Sequence, residues 1–165
     1  MSNLAVVYFF EYMITTAFTQ GTKDNIGIKY PDKIGTYIYT NAYVLFNFCY
    51  QVGVFLSRSS LSVIKIKRVW ILSAIQATFW TLWLVNSFTV WLQYFIALFA
   101  IMIFVGLMGG ASYVNVVYCI RNSERLDRNE KELTMIMSTV FNDIGMLAAS
   151  ITSLILTTAA YPKAP

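Results

Sequence analysis

The chain contains no histidine. This removes the usual general base and the usual zinc ligand together. Its two cysteines, Cys49 and Cys119, lie in or beside apolar runs and show no metal-ligand spacing. They read as small buried hydrophobes, and neither a metal nor a cofactor is expected. No Asn-X-Ser/Thr sequence occurs, so no glycan marks a lumenal side. Charge is scarce: 12% of the 165 residues are Asp, Glu, Lys or Arg, about half the share found in soluble domains. No basic face with interleaved aromatics lies outside the apolar runs, which argues against nucleic acid as a partner. The opening residues lack a basic leader and place Glu11 inside an apolar run, so they do not read as a secretory signal.

Apolar and aromatic residues dominate instead, at 58% and 16%, with a mean hydropathy of +0.60. Such a chain cannot cover itself with polar surface, so the lipid bilayer is its expected solvent. Trp and Tyr at the ends of apolar runs fit interfacial belts. A bilayer core of about 30 Å needs roughly 20 helical residues. Five segments meet that need, at 3–19, 38–56, 69–88, 91–118 and 135–160. The expected fold is an all-α polytopic membrane protein with about five transmembrane helices, forming one membrane domain over 1–165.

The 57–68 and 120–134 connections hold four basic residues each. The 20–37 loop holds Lys23, Lys29 and Lys33, and the tail adds Lys163. By the bias of Lys and Arg toward the cytoplasm, the N-terminus and the two basic connections are cytoplasmic. Glu124 with Arg128, and Asp127 with Lys131, are spaced i,i+4, so the charged connection is expected to stay helical. The turn at 89–90 is expected to be tight.

Two acids, Glu11 and Asp143, fall inside spans, where an ionisable group costs roughly 3 kcal/mol. Glu11 shares a helical stripe with Tyr8, Thr15 and Thr19. It either binds a cationic group or carries a proton, or it is a neutral packing acid. Thr40, Tyr43, Asn47, Tyr50, Gln51, Val54 and Arg58 form a second stripe, which either lines a pathway or hydrogen-bonds to neighbouring helices. Arg58 either snorkels to headgroups or pairs with an acid or an anionic substrate group. Ser73, Gln76, Trp80 and Trp83 on the third span read as packing. Asn142 and Asp143 align with Thr139, Met146, Ser150, Ser153 and Thr157, and Asp143 is a candidate partner for Arg58. In the fourth span, Gly106, Gly109, Gly110 and Asn115 mark either close helix packing or a break. A stretch of about 28 residues is too long for one straight crossing, so a kink near Gly109 is expected.

Two blocks, Tyr50-Gln-Val-Gly-Val-Phe-Leu-Ser-Arg-Ser-Ser-Leu61 and Gly106-Leu-Met-Gly-Gly-Ala-Ser-Tyr-Val-Asn115, resemble the carboxy-terminal half of the battenin family, the CLN3 and fungal BTN group. Val7-Tyr-Phe-Phe-Glu-Tyr12 and Asn142-Asp-Ile-Gly145 resemble two further blocks of that half, in the same order. The resemblance implies a major-facilitator-like fold and a location in a lysosomal, vacuolar or late-endosomal membrane. It further implies roles in lumenal pH, basic amino-acid balance and glycerophosphodiester efflux. It places Glu11 and Arg58 on blocks that line or gate a central cavity. The family's amino-terminal half is absent, so the expectation is a half-transporter that assembles with that half or another subunit, or else a gene fragment. The ending Tyr161-Pro-Lys-Ala-Pro165 carries no CaaX box.

Three functions follow. The first is a transporter, or half of one, for a small molecule. The second is a non-transporting membrane protein in endolysosomal trafficking or scaffolding, with the charged 120–134 segment as its docking element. The third, an intramembrane enzyme, would have to use Glu11 with Asp143, or Cys49. These lie on different helices without a nucleophile–base arrangement, so no enzymatic activity is expected.

Overall fold

A computed structural model describes residues 2–59, 69–124 and 126–159. Lys65, Lys67, Arg68, Arg125 and Lys163, all counted above for orientation, lie outside the described residues. Every regular element among the described residues is helical.

The first rod joins α1 (Ser2–Met13), a π-helical segment (Ile14–Phe18) and α2 (Thr19–Lys29). It therefore runs ten residues past the span expected to end at Thr19. Gln20 helps hold the polar extension, donating from Nε2 to both oxygens of Asp24 at 3.0 Å. Asn25 Nδ2 donates to the Ser87 carbonyl at 2.6 Å and Lys29 Nζ to that of Thr89 at 3.3 Å. Pro31 then disfavours helix at Tyr30, which sits at φ −132° and ψ 76°. A short turn (Pro31–Lys33) and α3 (Tyr37–Thr40) lead into α4 (Ala42–Ser59). α5 (Val69–Thr89) is followed by a non-helical crossing over 90–94, longer than the turn expected at 89–90. There Val90 takes φ 50°, and Asn86 Oδ1 accepts the Leu92 N–H at 2.8 Å. α6 (Phe95–Arg121) and α7 (Arg128–Ala159) complete the chain.

α5, α6 and α7 are long and apolar enough to cross a membrane. The α1–α2 rod and α4 are more polar, because they carry the Glu11 and Asn47 stripes. Large apolar side chains stand exposed along α7 at Ile136, Val140, Ile144, Leu147, Ile151 and Leu154. Lipid is the natural cover for a helix face of that kind.

The charged connection does not remain helical throughout. α6 ends at Arg121 and α7 starts at Arg128. The stop has a local cause: Glu130 Oε2 accepts the Asp127 N–H at 3.0 Å, a capping-box arrangement that starts a new helix. The expected pairs Glu124–Arg128 and Asp127–Lys131 give way to Arg128–Glu132, with 3.9 Å between Nε and Oε1.

α6 is also unbroken, contrary to the kink expected near Gly109. Its glycines serve close approach instead. A Cβ on Gly106 would strike the Tyr50 carbonyl, and one on Gly53 would strike the Ile103 carbonyl. α4 and α6 thus interlock backbone to backbone and run parallel. Gly145 of α7 gives the same kind of clearance to the Ala5 carbonyl of α1. The α1 rod is the most enclosed element, packed by α5, α6 and α7. Its aromatic seam with α5 sets Phe10 and Phe18 against Trp80, with ring centroids 5.3 and 5.7 Å apart.

Candidate functional site

The centre of the bundle holds a carboxylic acid. Glu11 is 1% exposed, and among the described residues neither of its oxygens has a hydrogen-bond partner. An unpaired buried polar group costs about 1–3 kcal/mol, so it persists where something compensates or where function requires it. Its position is built by Gly109 of α6, where any Cβ would collide with the carboxylate. The Tyr50 hydroxyl of α4 lies within interaction range, and the Arg58 guanidinium acts at longer range.

One turn toward the N-terminus of α1, the hydroxyl of buried Tyr8 stands within reach of the Asn142 amide and Arg58. The Arg58 guanidinium in turn lies 5.2 Å from the centre of the Tyr113 ring. Glu11, Tyr50, Tyr8, Asn142, Arg58 and Tyr113 therefore form one polar line contributed by four helices. It starts deep in the bundle and ends at exposed Arg58, near the end where α4 stops and α6 approaches its last turns.

Not every candidate from the sequence joins this line. Thr15 is buried, but its hydroxyl bonds back to the Tyr12 carbonyl at 3.2 Å. Asn47 donates to the Tyr43 carbonyl at 3.0 Å on a half-exposed face, and Gln51 is exposed. Asn115 is buried and donates to the Ala111 carbonyl at 2.9 Å. Asp143 is exposed, and no ion pair joins it to Arg58 among the described residues. Its neighbour Asn142, 6% exposed, takes the inward place. The buried face of α7 is Ser138, Asn142, Gly145, Ala149 and Ser153. Asp143 belongs to the adjoining stripe with Thr139 and Ser150, a rotation of about 100° away.

Two features escaped the sequence reading. Tyr50 approaches Glu11, although it was legible only as one member of a stripe. The π segment begins three residues after Glu11, and the Thr19 N–H bonds to the Ile14 carbonyl. Its cause is local: the hydroxyls of Thr15 and Thr16 both occupy the Tyr12 carbonyl, at 3.2 and 2.5 Å. Such back-bonding competes with the main-chain ladder, and π turns recur at functional sites. The run of Thr15, Thr16 and Thr19 was the available signal. On the α5 side, Gln76 is fully buried with no partner for either side-chain polar atom among the described residues.

The CLN3 protein family model matches residues 1–160. The chain is 34% identical over 148 residues to Battenin of Dictyostelium discoideum, covering 90% of this chain and 34% of that protein. It is 32% identical over 160 residues to Protein BTN1 of Eremothecium gossypii, covering 94% of this chain and 37% of the relative. Battenin of Canis lupus familiaris is 29% identical over 156 residues, covering 92% and 32%. The chain spans about a third of the length of these relatives. No solved structure matches it. A family match along nearly the whole chain identifies it as a member of the CLN3 protein family.

Proposed function

We propose that this chain forms one wall of a solute pathway in a lysosomal or vacuolar membrane, as a half-transporter with a major-facilitator-like arrangement of five crossing helices. The observation that carries the reading is Glu11, buried and unpartnered against Gly109, at the inner end of a line that reaches exposed Arg58. Ionisable groups kept inside membrane bundles characteristically mark substrate or proton routes. A carboxylate and a guanidinium on one line suit solutes bearing opposite charges. Basic amino acids would place their cation at Glu11, and glycerophosphodiesters would place their phosphate at Arg58. Proton exchange at Glu11 would link such movement to lumenal pH. A second wall, from an amino-terminal half or another subunit, would close the pathway. The basic ends at Arg58 and at Arg121 and Arg128 would face the cytoplasm.

The test uses purified protein in detergent, titrated with arginine, lysine and glycerophosphodiesters. Ligand-dependent thermal stabilisation is expected, with Glu11→Gln removing the response to the cationic solutes and Arg58→Gln the response to the phosphodiester. No stabilisation by any of them, together with no flux on co-expression with an amino-terminal half, would contradict the reading. That result would favour a trafficking or scaffolding role.

A further inference from the structure

A second polar feature lies two turns beyond Tyr113, where α6 ends and α7 begins. A cleft of about 370 Å³ opens there, lined by Val117, Arg121, Arg128, Lys131, Glu132 and Met135. Three cations face one carboxylate. Arg128–Glu132 is the one ion pair among the described residues, and its side chains are 93% and 64% exposed. An exposed pair of this length neutralises little. Arg121 and Lys131 have no carboxylate within ion-pair distance among the described residues. The cleft is thus an anion receptor by charge, with room for a group larger than a lone phosphate.

Its place in the fold selects the kind of anion. Val117 and Met135 give the cleft apolar walls. Beside it, Leu133, Ile136, Met137 and Val140 of α7 stand exposed and lead along the apolar helix face. A ligand with a phosphorylated polar head and acyl chains meets both surfaces at once. The cations would hold the head at the membrane edge while the chains run down α7. Basic pockets between membrane helices bind phosphorylated lipid headgroups in this way. The cap at Asp127 fixes Arg128 and Lys131 at the start of a helix, so the cations are presented on two anchored elements.

We propose that the α6–α7 cleft binds the headgroup of an anionic phospholipid of the phosphatidylinositol-phosphate class. The test is thermal unfolding of the full chain in phosphatidylcholine nanodiscs, with and without phosphatidylinositol monophosphate. A parallel arm adds soluble inositol phosphate to phosphatidylcholine discs. Stabilisation is expected with the phosphoinositide. Arg121→Gln, Arg128→Gln and Lys131→Gln should each lower the apparent affinity about fivefold. Glu132→Gln should raise it, which keeps the test informative if a cation variant folds poorly. Stabilisation unchanged in all four variants would overturn the site. Equal stabilisation by the soluble phosphate would overturn its assignment to a lipid.

Discussion

Glu11 is held where it is unfavourable, and its surroundings predict what substitutions do. Glu11→Met replaces an unpartnered buried acid with an apolar group of similar length. It is expected to raise stability by about 1–3 kcal/mol, read by thermal unfolding, while abolishing the response to cationic solutes. Stability gained as activity is lost is the signature of a functional buried charge and not a packing one. Gly109→Ala acts from the other side of the contact. Its methyl would meet the far end of the Glu11 side chain, which can swing away. The expected result is a small loss of stability with a large loss of solute response. Part of this site was legible in the sequence, because Glu11, Tyr8 and Arg58 stand out as costly groups at helical spacing. Asn142 was not separable from Asp143, since adjacent residues differ by about 100° of helix rotation. Only the packing of Gly145 on the Ala5 carbonyl settles which one turns inward. Tyr50 was hidden for the same reason, among several polar residues on α4.

Between helices, glycine decides how near two backbones come. Gly53→Ala and Gly106→Ala each drive a methyl into a carbonyl of the opposing helix, which cannot swing aside. Each is expected to cost about 1–3 kcal/mol in thermal unfolding, more than Gly109→Ala. The glycine block offered two meanings, and its partner Gly53 on α4 resolves them in favour of contact. The real irregularity sits in the first rod, where three threonines turn their hydroxyls onto their own backbone. Thr16 also shares a hydrogen bond of 2.6 Å with Ser153, tying the π segment to α7. Ser153→Ala should cost about 1 kcal/mol of stability. A loss well above that would show that the π segment itself depends on the contact. Helix ends proved harder to foresee than helix centres. α2 extends past the apolar run because Asn25 and Lys29 find carbonyls at the end of α5, partners that lie 60 or more residues away in sequence.

Across the molecule, the helices alternate in direction, with the α1–α2 rod, α5 and α7 running one way and α4 and α6 the other. Neighbouring contacts record it: Ala5 lies by Gly145 and Thr16 by Ser153, while Tyr50 lies by Gly106 and Ser57 by Gly110. The helical membrane character was readable from composition alone, because so little charge cannot cover so much apolar surface. The polar line is a property of four helices together, and no single stretch of sequence displays it. It opens at the same end as the cationic cleft between α6 and α7, so solute route and lipid contact would share one membrane face. The central claim is that Glu11 exchanges a proton or cation during transport. Its most direct measurement is solute flux against pH in vesicles carrying the chain with an amino-terminal half, compared with Glu11→Gln at matched expression. The account predicts pH-dependent flux in the parent protein and a flat, reduced profile in Glu11→Gln; an unchanged pH profile in the variant would contradict it.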